Sequence, residues 1–333
     1  MSKPITEFYV ACNTVDENGG CVHFTLNDDE TLTRGALISM PGPKWTELVG
    51  GRICALLRDE EAGECYAEYS IATGRRVFAP VPTLGKSVCH FSKDGDDVYC
   101  ANYGTGSVMW IHGREAKLTE HTTALGELGC DTERQERTHC HQCLFSPDKK
   151  FVLVCDLGLD SVLVYDREMN LVSRGKVPCG HGARHSIFSH DGKKLYTLSE
   201  MASSVTEFDW DGEKGELTYR YTICFKPEGH NGLSDAASIL LSPDGRHLYC
   251  TNRGTANTIA HLALDSDGRW QVISQTDCGA DHPRCALLVA GGKYLVCCNT
   301  FGNRMVLFRV EENGELTAVT SVDLPAPLCV NEV

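Results

Sequence analysis

Arginine, histidine and glutamate recur in this chain in short clusters set against apolar runs. GHGARHSIF (residues 180–188) places Arg184 beside His185, THCHQC places His139 two residues before His141, and DHPRC places His282 two residues before Arg284. Glu200 and Arg253 each close a β-prone run, in LYTLSE and LYCTNR. A guanidinium grips carboxylate or phosphate through paired hydrogen bonds. Imidazole titrates close to neutral pH and suits proton transfer. A lone carboxylate among such groups either takes a proton or neutralises one arginine. The set suits a small anion, provided that the fold gathers residues far apart in the chain.

An internal repeat supplies the means. FSKDGDDVYCANYGTGSV, FSPDKKFVLVCDLGLDSV, FSHDGKKLYTLSEMASSV, LSPDGRHLYCTNRGTANT and LVAGGKYLVCCNTFGNRM share one pattern: a turn on Asp or Gly, an apolar run, a polar residue and a second apolar run. Anchored on Asp94, Asp148, Asp191, Asp244 and Gly291, the copies are spaced by 54, 43, 53 and 47 residues. That is the length of a four-stranded propeller blade. The local signals are those of strands: a Gly-containing hairpin turn at Asp191-Gly192 and short β-branched or aromatic runs such as Leu195 to Leu198. No long 3.6-residue apolar period occurs. Residues 7–26 read as a further copy lacking its innermost strand, and residues 47–71 as a poorer one. The chain is therefore expected to be all-β, a seven-bladed β-propeller over residues 1–333 as a single domain. It is closed by pairing of its N- and C-terminal strands, which removes exposed sheet edges.

In a propeller the leading ends of the inner strands converge on one mouth of the central channel. Seven residues before the anchor the register gives Ser87, His141, Arg184, Ala237 and Arg284, and His139 and His282 stand nine before theirs. Nine residues after it come Tyr103, Leu157, Glu200, Arg253 and Thr300, on an antiparallel strand that returns to the same mouth. The preceding position is polar in every copy: Asn102, Asp156, Ser199, Asn252 and Asn299, expected to close turns. The predicted pocket holds Arg184, Arg253, Arg284, His139, His141, His185, His282 and Glu200. His90, His112, His121, His190, His247 and His261 fall outside the pattern and are taken as incidental.

A net charge of −14 argues against nucleic acid and anionic membrane as partners. No 18-residue apolar stretch or signal core is present, so a cytoplasmic protein is expected. The 18 cysteines contain no CxxC pair, and an arginine-rich pocket opposes cations, so neither metal nor cofactor is expected. Cys100, Cys250 and Cys297 share one register position and Cys155 and Cys298 the next, which predicts free thiols packed as small hydrophobes. GxSxG, a Walker loop and HExxH are absent, leaving water or the substrate itself to react.

RQERTHCHQCLFSPDKKFVLVCDLGLDSVLVYD, with the following GHGARHSIFSHDGKKLYTLSEMASSVTEF, SPDGRHLYCTNRGTANTIAHLAL and DHPRCALLVAGGKYLVCCNTFGNRMVLF, resembles the seven-bladed lactonase propeller family. The likeness runs from about residue 80 to about residue 330. It departs at Thr138 and Ala183, where the family usually has Pro, at Leu240 in place of a His, and at Thr300 in place of a Gln. Members include 6-phosphogluconolactonases, and fungal relatives lactonise carboxy-muconate. The resemblance implies a catalytic set of His141, Arg184, Glu200 and Arg253 and a small anionic sugar lactone as ligand, which His139, His185, Arg284 and His282, taken from the repeat register, are expected to bind. It implies that Arg184 and Arg253 hold the anion and polarise the carbonyl, while Glu200 and His141 exchange protons with water and the ring oxygen. An enzyme acting on an unsaturated dicarboxylate, and a non-catalytic anion-binding propeller, are the alternatives.

Overall fold

The computed structural model describes residues 2–120 and 126–333. Among them 28 strands form seven four-stranded sheets, the number of blades read from the repeat. No helix there is long and apolar enough to cross a membrane. The chain packs as two compact units, Met1–Pro82 with Ser242–Val333, and Thr83–Leu241.

In the first unit the C-terminal strand Pro327–Glu332 lies beside Pro4–Cys12, with Phe8 opposite Glu332 and Val10 opposite Val330. It is the inner strand that residues 7–26 lack, so the expected closure is present. Middle strands carry the most continuous apolar sequence. Val152–Asp156 and Tyr294–Asn299 are buried along their whole length, whereas outer strands such as Leu171–Lys176 are largely solvated. A middle strand is covered on both faces and paired on both edges, so neither face needs a polar residue. Truncating a core leucine to alanine in such a strand costs about 2–5 kcal/mol.

In three of the sheets the polar residue closing the middle strand ties down a turn. Asp156 Oδ1 accepts the backbone N–H groups of His139 (2.9 Å) and Leu159 (3.1 Å). Asn102 donates to the Thr83 carbonyl at 3.2 Å, and Asn299 to the Cys278 carbonyl at 3.1 Å. These buried side chains satisfy main-chain groups that have no ladder partner there.

The cysteines follow expectation with one correction. Cys100, Cys155, Cys250, Cys297 and Cys298 are buried and not disulfide-bonded, and burial pushes Cys155 up to about 12. Cys130 and Cys179, however, form a disulfide with Cα atoms 5.7 Å apart. Both are exposed and lie on connections between strands, so strand register carried no information about them.

Candidate active site

A one-residue β-bulge recurs in the inner strands of several sheets. Cys140 pairs with Asp156 but Gln142 with Cys155, leaving His141 as the extra residue. Arg184 is extra between Ala183 and His185, Cys89 between Val88 and His90, and Arg284 between Pro283 and Cys285. A bulge turns a side chain out of the alternation a regular strand imposes. His141, Arg184 and Arg284 thus occupy equivalent places, as the repeat predicts. The first copy is misaligned: Val88 faces Asn102 where Cys140 faces Asp156, so its inner strand lies two residues nearer the turn anchor. Cys89, not Ser87, is the counterpart of His141, and His90 is the counterpart of Gln142 and His185.

In the second unit the bulges at His141 and Arg184 face Glu200, which directly follows the strand Lys194–Ser199. Its backbone is fixed on both sides, the N–H on the Gly182 carbonyl and the carbonyl on the Ala236 N–H, each at 2.8 Å. Its carboxylate is 5% exposed at the residue level and gripped twice. Arg184 Nε donates to Oε2 at 2.8 Å, and Arg134 Nη2 donates to Oε1 at 2.6 Å. His141 Nε2 stands 3.9 Å from Oε2. Arg184 is itself only 2% exposed; its Nη1 donates to the Ala237 carbonyl and, at 3.3 Å, to His185 Nε2.

Three imidazoles line this network. The His141 and His185 rings meet edge-on with centroids 5.1 Å apart, and His185 meets His90 in the same way at 5.4 Å. Burial, helped by the charge of Arg184, drives His90 down to about 3, so it is a neutral ring. His90 is therefore no incidental residue; the shorter hairpin hid its register. His139 stacks on Tyr103 at 4.4 Å, with Nδ1 on the Tyr103 carbonyl and Nε2 on Glu136. Burial raises the Tyr103 phenol, opposed by its hydrogen bond with Arg134. Arg134, whose second nitrogen lies 3.9 Å from Asp235, belongs to a connection outside the repeat, where no sequence signal marked it. Burial works against its charge, but the charge and hydrogen bond of Glu200 outweigh that and raise it above the usual arginine range.

In the first unit Arg253 is buried on the strand His247–Gly254, and Arg284 is half-buried at its bulge. His282 has positive φ, holds the Thr300 N–H on its carbonyl and stacks at 3.9 Å on the exposed Phe301. Of the histidines set aside, His112 pairs with Asp97 at 2.7 Å and His247 with His261 at 2.9 Å. His121 lies outside the described residues.

The arrangement around Glu200 is a desolvated carboxylate held by two cations, with the His141 imidazole 3.9 Å away. It can accept a proton from water and pass one on. Comparison with known proteins agrees with the blade count. The chain is 28% identical to 6-phosphogluconolactonase of Bacillus subtilis over 74% of its length and 73% of the relative's. It is 30% identical to an uncharacterized protein of Staphylococcus aureus over 94% of this chain and 95% of that one. A periplasmic gluconolactonase of Pseudomonas aeruginosa superposes with a TM-score of 0.87 at 23% identity, covering 98% of this chain and 99% of the other, and shows the same fold. Residues 7–332 match the family described as lactonase, 7-bladed beta-propeller, and the chain belongs to that family.

Proposed function

We propose that the protein hydrolyses a sugar-acid lactone of the 6-phosphogluconolactone type, by attack of water in the pocket around Glu200. The observation that carries this reading is the buried Glu200 carboxylate, held by Arg184 and Arg134 with His141 Nε2 at 3.9 Å. In the proposed reaction water adds to the lactone carbonyl carbon while Glu200 takes its proton. The ring C–O bond then breaks, and His141 delivers a proton to the departing oxygen to give the open hydroxy acid. Arg184 is engaged by Glu200, Ala237 and His185, which supports a role in holding the carboxylate rather than binding the substrate anion. Arg253 enters the proposal from the repeat register, as an anion-binding and carbonyl-polarising group. His139, His185, His282 and Arg284 enter it as substrate-binding residues on the same basis.

The test is hydrolysis of 6-phosphogluconolactone and gluconolactone, followed by proton release against the buffer blank. Glu200→Gln should lower kcat by about 10²–10⁴-fold, the range for general acid–base help. Arg253→Ala should lower kcat/KM by about 10²–10³-fold if it supports the oxyanion. Rates no greater than the spontaneous one for every lactone tried would remove the proposal.

A further inference from the structure

We propose that Arg134 is a substrate-responsive clamp: the anionic group of the lactone draws its guanidinium off Glu200 and so releases the base. The inference rests on the reading of Glu200 as the base of a lactone hydrolase. The two arginines that grip Glu200 are not equivalent. Arg184 is buried and its Nε and Nη1 are spent on protein acceptors. The Arg134 side chain is 38% exposed and reaches Glu200 Oε1 through a single nitrogen; beyond it Arg134 faces Asp235 at 3.9 Å and the Tyr103 phenol.

The backbone beneath Arg134 is fixed, so the movement belongs to the side chain. Asp131 Oδ1 accepts the N–H groups of Glu133 (2.9 Å) and Arg134 (2.8 Å). Gln135 Nε2 donates to the Leu157 carbonyl and to Asp160 Oδ1, each at 2.8 Å. The Cys130–Cys179 disulfide ties down the start of the same connection. A long half-solvated side chain on a rigid base can swing without disturbing the blade.

Charge gives the swing a direction. A carboxylate gripped by two guanidiniums is a weak base, because each cation favours its ionised form. A phosphate offers three acceptor oxygens and more charge than the carboxylate, so it competes well for the guanidinium fork. Once Arg134 turns to it, Glu200 keeps Arg184 on Oε2 and exposes Oε1 to water. A lactone without an anion would meet the clamp closed. Arg134 thereby sets specificity through the reactivity of the base as well as through binding.

The experiment compares the full-length protein with Arg134→Ala and Arg134→Lys, on phosphorylated and plain gluconolactone, with and without added inorganic phosphate. In the parent protein, phosphorylated lactone should be preferred in kcat/KM, and inorganic phosphate should accelerate the plain lactone. Arg134→Ala should cut the preference by about 10–100-fold, the value of a hydrogen bond between charged groups. Its kcat on plain lactone should rise and no longer respond to phosphate. The acid limb of its pH–rate profile should move to higher pH, since Glu200 has lost a neighbouring cation. Arg134→Lys, which keeps the charge, should retain part of the preference. Equal losses on both lactones with the preference unchanged, or phosphate acting on the parent only as an inhibitor, would overturn the clamp while leaving lactone hydrolysis standing. A parent protein that accelerates neither lactone would overturn both.

Discussion

Removing the Arg184 guanidinium should be costly to the fold as well as to the reaction, and the structure sets the size of the loss. Arg184→Ala takes a donor from Glu200 Oε2, another from the Ala237 carbonyl and a third from His185 Nε2. All of these groups are buried, and of the two guanidiniums that grip Glu200 only that of Arg134 remains. Breaking a buried ion pair by deleting one partner costs about 3–5 kcal/mol, because the other charge stays desolvated. With an unfolding entropy of about 2.1 cal/mol/K per residue, a chain of this length melting as one domain has about 0.7 kcal/mol/K in all. The variant should therefore melt about 4–7 °C below the parent. Glu200→Ala should be destabilised for the converse reason, with two guanidiniums left facing an empty place. The double variant removes both charges, so its loss should fall short of the sum by about 2–3 kcal/mol. Circular dichroism melts and urea titrations of all four proteins at neutral pH measure this coupling. Additive losses, or an Arg184→Ala protein that melts with the parent, would refute the pairing and with it the positioning of the base.

Two further outcomes follow from groups outside that pair. His261 is held down to about 4 by burial and by its neighbour His247, and His90 to about 3 by burial and Arg184. Both lie below the ordinary histidine value of about 6.5, so the unfolded chain takes up these protons first. The stability they contribute should be complete above about pH 6.5 and lost as pH falls towards 4 and then 3. Melting temperatures across this range should drop less steeply in His261→Gln, and parallel curves would argue against it. Alkylation of the unfolded, unreduced chain should add 16 groups, rising to 18 after reduction, whereas 18 without reductant would exclude the Cys130–Cys179 bond.

Blade identity was legible because it is local and repeated. A hairpin turn such as Asp191-Gly192 and the apolar run after it specify two paired strands whatever surrounds them, and five copies fix their period. The positions of His141 and Arg184 were legible for the same reason, since a bulge at a fixed distance from the turn aims successive inner-strand residues alike. Counting from the turn failed where the turn itself changed length, and there His90 was missed.

By itself, the order of residues determined the all-β class, the seven blades, the terminal strand pairing and the nomination of His141, Arg184 and Glu200. Tertiary structure alone decided that Arg134 completes the grip on Glu200, that His90 is a neutral ring in the same cluster and that Cys130 meets Cys179. The division has one physical cause. Strand and turn preferences act over a few residues and repeat with the blade, so they can be read along the chain. The connections obey no period, and what they touch depends on the distance and direction in which the finished sheets present them.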